Sequence, residues 1–319
     1  MESSLVRAVF LGSGEVALPA LRALREAPGV ELVGVVTQPD RPVGRHQSAL
    51  TPPPVKRLVE GWSVPILQPE RLRHPDALAA LASLAAGVDL FVVMSYGQIL
   101  PPAVLVLPRI ACINLHASLL PRHRGASPIQ AALLAGDAAS GITVMYMNEG
   151  LDTGDLLLAR AIPIRRRETV GSLHDRLAEL AAPALLAALE LLARAEAPRM
   201  PQDASLATHS RKLGREDGRI DWSLDHRQVE RRIRAMTPWP GASTALPDGR
   251  RLKVLRALPS RRLHGSPGEI LGTDSDGLRV ACGSGGVRLL EVQPEGGRRM
   301  SALEFANGHR LEAGHCVLR

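Results

Sequence analysis

The chain has 319 residues, of which 45% are hydrophobic and 22% charged, and its formal net charge is +7. This length and composition are typical of an ordinary globular protein with two domains. Three scattered cysteines, no apolar run of roughly 18 residues and an N-terminus without signal-peptide character exclude disulfide-rich, membrane-spanning and secreted classes, so we expect a cytoplasmic protein.

Short apolar runs rich in Val and Ile alternate with helical segments over the first 165 residues. The predicted strands are residues 6–11, 32–36, 64–67, 90–94, 111–115 and 142–147. The predicted helices between them are residues 18–26, 55–60, 76–86 and 129–135. Continuous apolar strands separated by helices indicate an α/β domain with a mostly parallel sheet that is covered on both faces.

A further strand is predicted at residues 156–164, and a long helix rich in Ala and Leu at residues 172–197, which Pro183 can kink or break. Residues 198–219 then lack apolar periodicity and are rich in Pro, Ser and charge, which favours a linker. We therefore predict an N-terminal domain at residues 1–197 and a C-terminal domain at residues 220–319.

The C-terminal domain has a different pattern of predicted elements. One helix is predicted at residues 225–236, and Ser301 and Glu304 have the spacing of a capping box that opens a last short helix. The predicted strands are residues 251–258, 268–271, 278–282 and 287–292. Several short strands with a small helix indicate a compact β-barrel.

The positive charge is concentrated in this second part. Residues 1–200 carry 19 Lys and Arg against 18 Asp and Glu, whereas residues 201–319 carry 20 against 14. The C-terminal third could therefore bind an anionic polymer. The alternative interpretation is an arginine-rich composition with solvated basic faces.

One predicted strand ends in Asn114-Leu-His116, so two hydrogen-bonding side chains lie on the same face of it. Open α/β sheets place their ligand crevices at the carboxyl ends of such strands. Downstream, a glycine-rich loop carries Asp152, whose carboxylate could reach the histidine. Asn, His and Asp together suit acyl transfer to an amine, because Asn can donate to the developing oxyanion while His and Asp move a proton.

Other chemistries have weaker patterns. Gly12-Ser-Gly14 lacks the third glycine of a dinucleotide loop, and Val35-Val-Thr-Gln38 stands near the end of the second strand where a ribose-binding acid is expected, so a nicotinamide cofactor is disfavoured. His116 and His123 have no companion at metal-ligand spacing, and no nucleophile elbow occurs. A purely structural role remains open for His116 and for the Asp152-Thr-Gly turn, since a lone His near a strand end often only bonds the backbone and Asp-Thr-Gly is often only a turn.

Four motifs together resemble the signature of the 10-formyltetrahydrofolate-dependent formyltransferases. They are Asn114-Leu-His116, Ser118-Leu-Leu-Pro121, Arg122-His-Arg-Gly125 and Leu151-Asp-Thr-Gly-Asp155. The loop at residues 37–45 and the segments at residues 220–223 and 233–240 extend the resemblance over nearly the whole chain, to the branch of the family that acts on methionyl initiator tRNA.

The resemblance implies a Rossmann-like formyltransferase domain joined to a C-terminal domain similar to an OB fold. It implies transfer of the formyl group of 10-formyltetrahydrofolate to methionyl initiator tRNA. The residue patterns above favour neither a metal nor a nicotinamide, and nothing in the sequence demands more than a monomer. The implied catalytic residues are Asn114, His116 and Asp152. The implied folate contacts are Ser118, Leu119, Leu120 and Pro121, and the implied tRNA contacts are Arg41 and Arg45.

Three positions depart from the pattern of the family. Gly12-Ser-Gly14 replaces the usual Gly-Thr-Pro, which alters the geometry of the turn more than the chemistry. The loop after the second strand has Arg41 and Arg45 where the family has a lysine-rich stretch, and His123 replaces a common Trp.

Two other functions stay open at the level of sequence. Small amines such as a sugar nucleotide or glycinamide ribonucleotide could accept the formyl group from the same side chains, although they need no extended basic module. A catalytically inactive RNA-binding protein could also keep this fold, although its Asn114, His116 and Asp152 are intact.

Overall fold

The computed structural model describes residues 5–42, 50–311, 313–314 and 318. Contacts divide the chain into two compact units. Unit 1 comprises Met1–Pro128, Ala139–Pro163 and His174–Ser210, and unit 2 comprises Ile129–Ala138, Ile164–Leu173 and Arg211–Arg319. The last segment of unit 1 ends at Ser210, and two short segments before that residue belong to unit 2 by their contacts. The domain limits drawn from the sequence stay a prediction.

Strands β1 to β11 lie in unit 1. They are β1 (Val6–Gly12), β2 (Val30–Val36), β3 (Arg41–Pro42), β4 (Leu50–Thr51), β5 (Ile66–Leu67), β6 (Leu90–Met94), β7 (Ala111–His116), β8 (Arg124–Gly125), β9 (Ala139–Tyr146), β10 (Leu156–Pro163) and β11 (His209–Ser210). The α-helices before residue 210 are α1 (Leu18–Glu26), α2 (Pro54–Val59), α3 (Pro75–Leu84), α4 (Pro102–Leu105), α5 (Pro128–Ala135) and α6 (Val170–Ala193). Most of α5 and the start of α6 lie in unit 2. Short 3-10 helices occupy Glu15–Ala17 and Ala204–Leu206.

Seven of these strands form one sheet in the order β10-β9-β7-β6-β1-β2-β5. The five strands from β7 to β5 are parallel, and β9 runs antiparallel to both of its neighbours. The predicted α/β class with a mostly parallel sheet is confirmed. The core is made by the apolar runs in the middle of the sheet: all five residues of β6 are buried, as are Phe10 and Phe91.

Helix α6 passes through Pro183 without ending there. Proline lacks the N–H that would bond to the preceding turn, which weakens a helix interior. The helix nevertheless buries a continuous stripe at Leu177, Ala181, Leu185 and Ala188, each 0% exposed. This packing offsets the missing hydrogen bond, because most helical stability in proteins comes from an amphipathic face.

Unit 2 contains an antiparallel β domain. Its elements after residue 210 are a 3-10 helix (Arg215–Gly218), α7 (His226–Ala235), β12 (Ser243–Ala245), β13 (Arg251–Ser260), β14 (Ile270–Asp274), β15 (Gly277–Ala281), β16 (Gly286–Pro294), β17 (Met300–Ser301) and α8 (Ala302–His309). The sheet order is β12-β13-β16-β15-β14, with β17 also paired to β16. This agrees with the barrel-like domain expected from the short strands.

Both helices of this β domain begin at side-chain caps. Asp225 accepts hydrogen bonds from the amides of Arg227 and Gln228, and Gln228 Oε1 accepts one from the Asp225 amide, which completes a capping box. Ser301 Oγ accepts from the Glu304 amide at 3.0 Å, as its spacing predicted. None of the helices in the described part of the chain has the length and apolar character that crossing a membrane requires.

Candidate active site

Strand β7 brings Asn114 and His116 to the carboxyl end of the sheet in unit 1. Asn114 lies opposite Val93 of β6 on one side and Met145 of β9 on the other, so the strand is central. His116 lies opposite Thr143 on β9. Because side chains two residues apart point to the same face of a strand, the amide and the imidazole emerge together there, as the sequence predicted.

The imidazole of His116 is held by the backbone. The residue is 6% exposed, and its Nε2 lies 3.0 Å from the carbonyl oxygen of His123. A carbonyl oxygen only accepts hydrogen bonds, so Nε2 carries the proton and donates it. In the neutral ring, Nδ1 therefore has the lone pair.

Asp152 faces this lone pair. Its Oδ1 lies 3.5 Å from His116 Nδ1, and its Oδ2 accepts a hydrogen bond of 2.7 Å from the amide of Gly125. The separation of 3.5 Å is longer than a charge-assisted hydrogen bond, which spans roughly 2.7–2.9 Å. The two groups can therefore take up one proton between them, which would join Nδ1 to Oδ1.

Burial lowers the pKa of the His116 imidazole below its usual value. The carboxylate of Asp152 and the carbonyl of His123 act in the opposite direction but do not outweigh the desolvation. The ring is consequently neutral at physiological pH, with a free site for a proton at Nδ1.

The side chain of Asn114 is left free beside this pair. It is partly exposed and makes no hydrogen bond to any other residue in the described ranges. Its NH2 group can therefore donate to a carbonyl oxygen that becomes negative during attack on its carbon. The combination of a free donor and a neutral His–Asp pair fits addition of an amine to a carbonyl group.

The Ser118–Pro121 segment follows β7 directly and is fixed by a buried hydroxyl. Thr143 Oγ1 donates to the Ser118 carbonyl at 2.6 Å and accepts from the Leu120 amide at 3.1 Å. Ser118 Oγ in turn donates to the Arg122 carbonyl at 2.6 Å. The Ser118 carbonyl and hydroxyl and the Leu120 amide thus have partners within the protein, whereas the side chains of Leu119 and Pro121 are only half-buried.

The loop after β2 is anchored at its start. Asp40 accepts hydrogen bonds of 2.7 Å from both Lys56 and Gln68, and these bonds hold the pKa of its carboxyl below the usual value. The next residue, Arg41, is exposed and pairs with Thr51 in the short ladder of β3 and β4. Arg45 lies outside the described residues.

The glycine turn after β1 ties the first two strands together. Ser13 Oγ accepts a hydrogen bond of 3.0 Å from the Gln38 amide and lies 3.2 Å from the hydroxyl of Thr37. A Cβ at Gly14 would lie 2.7 Å from Ser95 Oγ, so a larger residue there would need the Ser95 hydroxyl to turn away. In the part of the chain that the structure describes, no three His, Cys, Asp or Glu side chains are grouped to hold a metal ion.

Two residues that shape the site were not predicted from the sequence. Thr143 fixes the loop after β7, and Gln202 contacts the loops of Asp152 and Arg124 from within the predicted linker. Neither residue belongs to a motif, and a contact made only in the folded chain has no local signal. A polar Thr in an apolar strand was the one available hint, because a buried hydroxyl requires a partner.

Comparisons with known proteins agree over both units. The family model described as "Formyl transferase" matches residues 6–189, and the one described as "Formyl transferase, C-terminal domain" matches residues 212–310. Methionyl-tRNA formyltransferase of Geobacter sulfurreducens is 47% identical over 309 residues, covering 97% of this chain and 96% of that protein. The enzyme of the same name from Pseudomonas fluorescens is 50% identical over 305 residues, covering 96% and 94%.

The fold has a solved counterpart. A crystal structure of WlaRD, a sugar 3N-formyl transferase in the presence of dTDP and 5-N-formyl-THF, superposes with a TM-score of 0.65 at 13% identity, covering 91% of this chain and 98% of that one. At that identity the likeness concerns the fold alone. The family models and the close relatives together show that this chain belongs to the formyl transferase family, in its methionyl-tRNA formyltransferase branch.

Proposed function

We propose that this protein transfers the formyl group of 10-formyltetrahydrofolate to the α-amino group of methionyl initiator tRNA, with Asn114, His116 and Asp152 as catalytic residues. The observation that carries the chemistry is the unbonded Asn114 amide beside the neutral His116–Asp152 pair. The choice of acceptor rests on the family membership and on the names of relatives that are 47% and 50% identical.

The chemistry follows from these side chains. The amine nitrogen forms a bond to the formyl carbon, and the carbonyl oxygen becomes negative while Asn114 donates to it. The proton that the amine loses moves to the His116–Asp152 pair, which has one vacant position between Nδ1 and Oδ1. The oxyanion then reforms the carbonyl while the bond from the formyl carbon to N10 of the folate breaks, and N10 takes the proton that the His116–Asp152 pair received from the amine. No covalent enzyme intermediate is needed.

The segment after β7 suits the folate. We assign folate contacts to Ser118, Leu119, Leu120 and Pro121. Leu119 and Pro121 offer half-buried apolar surface to a flat ring, while the internal hydrogen bonds of Ser118 and Leu120 keep the backbone in one shape. This pre-organisation lowers the entropy lost on binding.

The acceptor would be held by the basic part of the chain. The excess of positive charge in residues 201–319 suits a phosphate backbone. We propose residues 1–197 as the catalytic domain, residues 198–219 as the connecting segment and residues 220–319 as the tRNA-binding domain. Arg41 and Arg45 are proposed as further tRNA contacts. A translation enzyme of this kind would act in the cytoplasm, and we propose that it is a monomer.

The decisive experiment is a panel of acceptors. Purified protein is incubated with 10-formyltetrahydrofolate and methionyl initiator tRNA, methionyl elongator tRNA, uncharged tRNA, free methionine or an amino-sugar nucleotide. We expect formylated product on methionyl initiator tRNA. Product on the sugar nucleotide alone would instead assign the protein to small amine acceptors. Binding of tRNA without any product would favour the RNA-binding alternative.

A further inference from the structure

Gln202 lies between the two loops that form the walls of the site in unit 1. Its Nε2 donates to the carbonyl of Asp152 at 2.9 Å and to the carbonyl of Gly154 at 2.8 Å. Its Oε1 accepts from Arg124 Nε at 3.1 Å and from Arg124 Nη2 at 2.8 Å. One side chain thus joins the turn that carries Asp152 to the loop that carries Gly125.

These four hydrogen bonds reinforce each other. Arg124 is 6% exposed, so its charge acts in a medium of low dielectric constant. A guanidinium that binds the amide oxygen withdraws electrons from the amide and strengthens its N–H donors. The bonds from Gln202 to the Asp152 turn are therefore stronger than those of an isolated glutamine.

The Asp152 turn requires such support. Asp152 has a φ of 54°, in the left-handed region that costs energy for residues with a side chain. Gly154 packs so closely against the carbonyl of Tyr146 that a Cβ would overlap it. Bonds to the carbonyls on both sides of Thr153 hold this turn in the conformation that points Oδ1 of Asp152 at His116.

Gln202 is itself fixed from both sides along the chain. We call residues 200–210 the strap. At its start, Met200 and Leu156 exchange two backbone hydrogen bonds of 3.0 and 2.8 Å. Near its end, Thr208 Oγ1 accepts from the His123 amide and the Thr208 carbonyl accepts from the Arg124 amide, both at 2.8 Å. Gln202 is therefore presented by an ordered segment and not by a free linker.

We propose that Gln202 is a positioning residue for formyl transfer, which sets the separation between the Asp152 carboxylate and the His116 ring by holding the Asp-Thr-Gly turn to Arg124. The inference rests on the proposed function, and it gives the strap a part in catalysis in addition to connecting the two parts of the chain.

Two substitutions distinguish the hydrogen-bond donors of Gln202 from its acceptor. Gln202→Met removes the donors and the acceptor while nearly keeping the volume. Gln202→Glu keeps an acceptor for Arg124 but removes both donors and turns a carboxylate toward two carbonyl oxygens. Ser205→Ala is the matched control, because Ser205 lies in the same strap and, among the described residues, its hydroxyl bonds to Asp203 of that strap alone.

Three quantities are measured for each variant: kcat and KM for both substrates, the thermal midpoint, and the NMR titration of the His116 ring. We expect both Gln202 variants to lose about 10- to 100-fold in kcat, in line with other residues that orient a catalytic group, with both KM values within about twofold. In Gln202→Met the His116 titration moves to lower pH than in the wild type, because the negative charge of Asp152, which raises the pKa of the ring, moves away. Ser205→Ala stays at the wild-type values.

Either of two results would overturn the proposal. One is a wild-type kcat in Gln202→Glu, since anchoring Arg124 would then suffice. The other is a lower thermal midpoint in Gln202→Met with kcat and the His116 titration unchanged, since the role would then be structural. If the wild-type protein formylates no acceptor, the proposed function fails, and the His116 titration still decides whether Gln202 positions Asp152.

Discussion

Thr143→Val tests how the loop after β7 is held. Valine has nearly the shape of threonine, so the strand packing is kept while the hydroxyl is lost. The hydroxyl is the partner of both the Ser118 carbonyl at 2.6 Å and the Leu120 amide at 3.1 Å. Thr143 and Ser118 are 0% exposed and Leu120 is 7% exposed, so water cannot replace it without opening the site.

The expected loss of stability follows from these two groups. A buried donor or acceptor that loses its partner costs about 1–3 kcal/mol, and here one of each is left unpaired. We therefore expect unfolding to become easier by about 3 kcal/mol, which lowers the thermal midpoint by roughly 6–12 °C in a unit of this size. The KM for the formyl donor should rise about tenfold, because the folate segment loses its fixed shape.

The assay combines thermal unfolding with steady-state kinetics at saturating methionyl initiator tRNA. Thr143→Ser keeps the hydroxyl and should retain the KM of the wild type. Thr244→Val is the matched control in unit 2, where the buried hydroxyl of Thr244 accepts from Trp222 Nε1 at 3.0 Å. It should lower stability without a change in the KM for the folate. A Thr143→Val protein within about 0.5 kcal/mol of the wild type, with an unchanged KM, would refute the reasoning.

Three further predictions follow from the site. Asp152→Asn keeps the size of the side chain but cannot share the proton with His116, so we expect kcat to fall about 10³- to 10⁴-fold in single-turnover assays; an unchanged kcat would exclude Asp152 from proton transfer. Because burial lowers the pKa of His116, the unfolded chain binds more protons than the folded chain just below pH 6.5, so the contribution of the neutral ring to stability is present above that pH and lost in acid. The free energy of unfolding from urea titrations should therefore differ less between about pH 5 and pH 7.5 in His116→Asn than in the wild type. Arg41→Ala should raise the KM for tRNA and reduce the slope of log affinity against log salt by about 0.9 without a change in the KM for the folate, and an unchanged slope would remove Arg41 from the interface.

The order of the central elements could be predicted from the sequence because each buried strand is a continuous apolar run. The same reasoning did not reveal that β9 runs antiparallel to its neighbours, since burial on both faces gives similar patterns in either direction. The two-residue ladders, such as β8 with β11, were also missed, because two residues have no periodicity to read.

Part of the candidate site could likewise be predicted from the sequence and part could not. Asn114 and His116 could be placed together because the period of a strand is two residues. The approach of Asp152 to His116 was predicted only from its place in a glycine-rich loop after a strand, and the structure brings Oδ1 and Nδ1 to 3.5 Å. The contacts of Gln202 could not be predicted from the sequence, because they join residues separated by 48 to 78 positions in the chain. The catalytic roles themselves stay predictions until they are tested.

The most direct test of the account is single-turnover formyl transfer from 10-formyltetrahydrofolate to methionyl initiator tRNA by the wild type and by Asn114→Ala, with tRNA binding measured in parallel. We expect product with the wild type and a rate about 10²- to 10³-fold lower for Asn114→Ala, at equal tRNA affinity, because the amide acts only on the developing oxyanion. An unchanged rate in Asn114→Ala, or no product on methionyl initiator tRNA with the wild type, would contradict it.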